Sequence, residues 1–79
     1  MSATSEWLAV ARITNDPEGD LIADMRTDRD IPGLFGNLKA MHDYVSFKSR
    51  GDPKILAAVP GVWRRYRRWV DRHPFRQRS

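Results

Sequence analysis

Apolar residues recur at helical spacing through most of this chain, most regularly between Val62 and Arg72. Val62, Trp63, Tyr66, Trp69 and Val70 stand at i, i+1, i+4, i+7 and i+8, which at ~3.6 residues per turn places them on one stripe. Arg64, Arg65, Arg67, Arg68 and Arg72 occupy the other faces. The pattern predicts a helix with one core-facing side and one side of almost pure positive charge.

Upstream, the same reading predicts three or four shorter helices. A first runs roughly from Glu6 to Thr14, with Trp7, Val10, Ala11 and Ile13 facing inward. Thr4 or Ser5 caps it, because either hydroxyl can accept from an otherwise unpaired amide of the first turn. Asp16-Pro17 starts the second, Pro17 to about Thr27, with an acidic cap and a proline at the first helical position, where no donor is lost. Leu21, Ile22 and Met25 form its apolar side, and Glu18, Asp20, Asp24 and Asp28 its wet side. Asp30 to Gly33 ends it, since the residue before a proline avoids the α region and glycine permits a positive φ.

Leu34, Phe35 and Gly36 then make an unusually apolar loop. Asn37 caps a third helix from Leu38 to about Ser49, with Leu38, Met41 and Val45 as its stripe, Tyr44 and Phe47 at its margins, and Gly51 at its end. Asp52-Pro53 repeats the earlier start signal for a short helix carrying Ile55, Leu56 and Val59. Pro60 would break a continuous helix, so it reads as a first-turn residue of the basic one, which His73-Pro74 closes. The expected organisation is one helical domain over residues 1–73 and a flexible basic tail over 74–79.

Composition narrows the function. A chain of 79 residues is one domain that withdraws only about 60% of its unfolded surface from water, which leaves no room for an enzyme-sized pocket and its supporting shell. The absence of cysteine excludes disulfides and thiolate metal sites and fits a reducing compartment. No apolar run approaches the ~18 residues needed to span a bilayer, and Ser2, Thr4, Ser5 and Glu6 lack the build of a signal peptide, so a cytoplasmic protein with no membrane partner is expected. The net charge of +4 conceals an asymmetry. Residues 1–63 carry seven Lys or Arg against nine Asp or Glu, a balance of −2, whereas residues 64–79 carry seven Arg against Asp71 alone, a balance of +6.

The run Asp16-Pro17-x-Gly19-Asp20-Leu21-x-x-Asp24, followed by Asp28, Ile31-Pro32, Tyr44-Val45 and Trp63-x-x-Tyr66, resembles the YozE-like family of small bacterial domains. The resemblance covers about residues 7 to 70. It implies a sterile-alpha-motif-like (SAM-like) arrangement of four or five short helices around one core. The family's biochemical role is mostly unsettled, with nucleic-acid binding among the suggestions, and the resemblance supplies no catalytic residue. Two features depart from the family pattern, the apolar Gly33 to Asn37 loop and the heavier arginine-rich end.

Guanidinium groups hold phosphates through paired planar hydrogen bonds and stay charged at any working pH, so several on one helix can track a nucleic-acid backbone. Arg65, Arg68 and Arg72 form one strip, Arg64 and Arg67 lie beside it, and Arg76 and Arg78 extend it as an arm. The bland reading is a solvated face, neutralised in part by Asp20, Asp24 and Asp28 across the fold and by Asp71 locally, and favoured late in a helix by the macrodipole. Trp63, Tyr66 and Trp69 can stack on unpaired bases in principle, but their stripe assigns them to packing. Phe75, beyond Pro74, either stacks, anchors or folds back.

The Asp20, Asp24 and Asp28 ladder invites a metal reading, yet hard cations want about six oxygens from several directions and one helix face offers only a row. No metal or cofactor is expected. His42 and His73 stand in no ligand spacing, and Gly33-x-x-Gly36 is a turn signal only. Leu34 and Phe35 either plug the end of the bundle, the preferred reading, or anchor a protein partner.

These readings converge on an all-α, compact bundle of four to five short helices that binds without catalysing. The preferred partner is the nucleic-acid phosphate backbone, DNA ahead of RNA, met with little sequence specificity by Arg64, Arg65, Arg67, Arg68, Arg72, Arg76 and Arg78. The alternative is a protein-interaction module that docks on an acidic protein surface, in its specific version a phage or mobile-element inhibitor of anti-CRISPR or other anti-defence type. The chain is expected to be a monomer or a weak homo-oligomer.

Overall fold

Side-chain caps set where most of the helices begin in the computed structural model, which describes residues 2–72. The elements are α1 (Ala3–Val10), α2 (Pro17–Arg26), α3 (Leu38–Ser49), the single-turn α4 (Pro53–Leu56) and α5 (Val59–Arg72), and no strand occurs among the described residues. The expected tail over 74–79, with Phe75, Arg76 and Arg78, lies outside the described residues, as do His73 and Pro74.

Three starts follow the expected chemistry. Asp16 Oδ1 accepts from the Gly19 amide at 2.8 Å, Asn37 Oδ1 from the Ala40 amide at 2.8 Å, and Asp52 Oδ1 from the Lys54 amide at 2.9 Å. Pro17 and Pro53 each stand in the first turn after their acidic cap, and Pro60 lies in the first turn of α5. The end of α3 comes through two left-handed residues, Arg50 at φ 58° and Gly51 at φ 76°, with the Gly51 amide returning to the Ser46 carbonyl at 2.9 Å.

The first helix is displaced from its expected span of Glu6 to Thr14. Ser2, not Thr4 or Ser5, is the cap, its hydroxyl accepting from the Ser5 amide at 3.1 Å. The Thr4 amide instead donates to the Gly33 carbonyl at 3.0 Å, which ties the first turn to the loop before α3. The helix also ends early, because Arg26 Nε donates to the Leu8 carbonyl at 2.8 Å and an Arg26 terminal nitrogen to the Ala11 carbonyl at 2.7 Å. Those two bonds take up carbonyls that a longer helix would have used internally. In consequence Trp7 and Leu8 are buried, and the expected inward residues Val10 and Ile13 are exposed. Leu38, expected on the stripe of α3, is also exposed, while Met41 and Val45 are buried as expected.

The packing centres on α5, which touches α1, α2 and α3. Tyr66 is fully buried at its middle, edge-on to Trp7 at 5.4 Å and to Phe35 at 5.9 Å between ring centroids. Its phenolic oxygen accepts from the Phe35 amide at 3.2 Å, so the loop before α3 is held to the core through its backbone as well as its ring. Phe35, at 2% exposure, lies within the core, whereas Leu34 beside it is 64% exposed. Of this adjacent pair, only Phe35 enters the core.

Asp28 closes the side of the bundle between α2 and α3. It accepts from the Tyr44 hydroxyl and the Asp30 amide and lies 3.4 Å from the Lys48 ammonium. The Tyr44 bond, then the Asp30 amide, and less strongly Lys48, hold its carboxyl below the usual aspartate range. Burial, then the carboxylate beside it, pushes the Tyr44 phenol up. A depressed carboxyl stabilises the fold at pH values above its unfolded pKa and loses that contribution as pH falls through the folded one. Tyr44→Phe is thus expected to lower stability at neutral pH, with the gap to the wild type narrowing below about pH 4. Denaturant melts at a series of pH values read this directly, and a gap constant down to pH ~2 would assign the loss to packing instead.

Candidate functional site

The basic face belongs to the same helix that carries the centre of the core. Val59, Val62 and Tyr66 are buried, and at ~100° per residue Trp63 and Trp69 lie about 60° to either side of Tyr66, both half-buried at the margins of the stripe. They pack against the core from its edge, as half-exposed boundaries rather than fully buried members. Beyond them the exposed arc carries Arg64, Arg67, Arg68 and Arg72, with Arg65 only partly exposed.

The five arginines are not equivalent. An Arg67 terminal nitrogen donates to Asp71 Oδ1 at 3.0 Å while its guanidinium carbon stands 5.8 Å from the Trp63 ring centroid, a cation–π arrangement. Arg65 bridges elements, donating to the Arg12 carbonyl at 2.9 Å and facing Glu18 Oε1 at 3.6 Å. Arg64, Arg68 and Arg72 have no carboxylate partner among the described residues. Of the seven expected binding residues, Arg64, Arg68 and Arg72 are thus the ones that present free charge, and Arg76 and Arg78 lie outside the described residues.

Neutralisation across the fold takes a different route from the expected one. Asp28 is engaged by Tyr44 and Lys48, and Asp20 and Asp24 line a recess with Leu21, Lys54 and Ile55 on the side of α2 toward α4. Glu18, two residues before Asp20, is the residue that reaches the basic helix. Its carboxylate lies against Gly61, where an added Cβ would stand 2.0 Å from Glu18 Oε2. A negative group there also suits the positive end of the α5 dipole. The acidic and basic faces therefore meet at one point and otherwise remain separate.

One contributor escapes the helical pattern. Arg12 follows α1 in non-helical backbone, 53 residues before Arg65, yet it lines a shallow recess of about 190 Å³ with Trp7, Ala11, Arg65, Arg68, Trp69 and Arg72. The early end of α1 brings it there, and that end is set by Arg26, a tertiary contact without a local signal. Among the described residues no group of three or more His, Cys, Asp or Glu is placed to hold a metal ion, His42 is exposed, and no helix is long and apolar enough to cross a membrane.

Comparison with known proteins adds no relative to this geometry: no family model matches the chain, and neither curated proteins nor solved structures yield a match.

Proposed function

We propose that this all-α domain is a non-enzymatic module that binds the phosphate backbone of nucleic acid, duplex DNA foremost, through the arginine face of α5. The observation that carries the reading is the set Arg64, Arg68 and Arg72, exposed and without carboxylate partners among the described residues, with Arg12 continuing the charge onto the end of α1. Guanidiniums remain protonated, so they neutralise and orient phosphates but offer no proton acceptor for a reaction. The all-α bundle accords with the architecture implied by the YozE-like resemblance, and membership of that family, with a SAM-like arrangement and a cytoplasmic bacterial setting, is part of the proposal.

Fluorescence anisotropy against duplex DNA, single-stranded DNA and RNA over a range of salt concentrations tests it. Log affinity should fall with log salt at a slope of about −3 to −5, at ~0.9 per neutralised duplex phosphate. Arg68→Glu with Arg72→Glu should lower affinity for every duplex by roughly 100-fold at low salt and flatten the slope by about 2. The melting temperature should stay unchanged, because neither side chain has an ion-pair partner among the described residues. Absence of binding at low salt would remove this reading. A protein-docking role, of which a mobile-element inhibitor is the specific version, would then take its place, and Phe47 on α3, 80% exposed, favours that second reading.

A further inference from the structure

Four arginines lining one recess are more than a backbone track requires. Arg12, Arg65, Arg68 and Arg72 all line the space between the end of α1 and the outer turns of α5, together with the buried Trp7 and the partly buried Ala11. Among the described residues no carboxylate lines it, and the ion-pair partner at its edge is Glu18, 3.6 Å from Arg65. Arg65 is held from two sides, by the Arg12 carbonyl at 2.9 Å and by Glu18, so its guanidinium is positioned before any ligand arrives. Arg12 comes from a separate element and is tied to α5 through that same carbonyl.

The shape selects among phosphates. At about 190 Å³ the recess falls below the ~300–1,000 Å³ of sites that enclose whole small molecules, so a compact charged group fills it and the rest of a larger ligand lies beyond its rim. A phosphodiester within a strand carries one charge and is flanked by sugars on both sides, which keeps it on the rim. A terminal phosphomonoester carries about −1.5 to −2 charges at neutral pH on three outward oxygens and can enter end-on. We infer that the Arg12, Arg65, Arg68 and Arg72 recess is a subsite for the terminal phosphate of a nucleic-acid strand, which makes this domain a binder of phosphorylated ends. The inference rests on the nucleic-acid reading above and deepens it. Arg68 and Arg72 serve both modes, Arg12 belongs to the end subsite, and Arg64, which does not line the recess, belongs to the backbone track.

Internally labelled DNA strands and duplexes that differ only in carrying a terminal phosphate or a hydroxyl measure the preference. The full chain should bind the phosphorylated ends at least ~10-fold more tightly at low salt, since the end adds charge-assisted, paired hydrogen bonds. Arg12→Gln should reduce that advantage to below about twofold while leaving hydroxyl-ended strands nearly unaffected, and Arg64→Gln should weaken both ligands alike. Equal affinity for the two ends in the wild type would overturn the subsite and leave backbone binding standing. An end preference that survives Arg12→Gln would overturn its placement here. Titration with methyl phosphate, followed through the indole and arginine side-chain NMR signals, separates the two ideas. Saturable shifts at Trp7 and Trp69 that Arg12→Gln abolishes, in a protein that binds no strand, would keep the subsite and remove the nucleic-acid reading; no shift together with no end preference would remove the subsite.

Discussion

Gly19→Ala is expected to unfold this domain or to lower its melting temperature by roughly 15–25 °C, at ~4–8 °C per kcal/mol for a chain of this size and a cost of about 3 kcal/mol or more. The reason lies in the turn that feeds α2. Asp16 caps that helix with one oxygen, which also accepts from the Thr14 hydroxyl at 2.7 Å and the Gly19 amide at 2.8 Å. To make both bonds the chain doubles back so closely that a Cβ on Gly19 would stand 1.7 Å from the Thr14 carbonyl oxygen and 2.5 Å from its carbon. Backbone atoms cannot swing aside as the end of a side chain can. The alanine variant must therefore open the turn, losing the cap and displacing Leu21 and Ile22 from the core. Gly36→Ala is the control, since an added Cβ there meets nothing within 4 Å, and a thermal melt should show little change. Equal melting temperatures for the Gly19 variant and the wild type would mean that this close approach does not exist in solution.

Tyr66 is the second position of large expected effect, and its two variants separate two contributions. Tyr66→Ala removes a fully buried ring from between Trp7 and Phe35 and should cost about 3–5 kcal/mol through lost burial and the cavity left behind. Tyr66→Phe keeps the ring but leaves the buried Phe35 amide without its acceptor, at a cost of about 1–3 kcal/mol. Denaturant titrations that return the wild-type midpoint for the phenylalanine variant would show that the Phe35 amide finds another partner. Phe35→Ala should also be strongly destabilising, which distinguishes a plug from a docking residue.

Much of this arrangement was legible from local chemistry. Asp16-Pro17, Asn37 and Asp52-Pro53 mark the starts of α2, α3 and α4 because a cap is satisfied by amides two or three residues away. The Tyr66 stripe and the opposed arginines follow from helical periodicity alone. What escaped depends on distant partners. Ser2, Thr4 and Ser5 are all competent caps, and the Gly33 carbonyl, by taking the Thr4 amide, excludes the later start. Arg26 then ends α1 before Val10 and Ile13 can turn inward. The same early end delivers Arg12 to the basic face, and the choice of Glu18 over Asp20 or Asp24 as its carboxylate depends on how closely α2 approaches Gly61. Charge composition announces a basic surface; which guanidiniums are engaged and which are free is a property of the packed molecule.

Because α5 is at once the rod on which the core is assembled and the carrier of the free arginines, occupancy outside and cohesion inside are thermodynamically linked. On the proposed reading, a polyanion lying along Arg64, Arg68 and Arg72 would recognise only the folded rod, and would raise the temperature at which the bundle comes apart by an amount that grows with the logarithm of its concentration. The converse follows from the same cycle. Any heat, acid or mutation that loosens Tyr66 from Trp7 and Phe35 disperses the guanidiniums that share its helix, so a ligand held by them would be released as the domain melts.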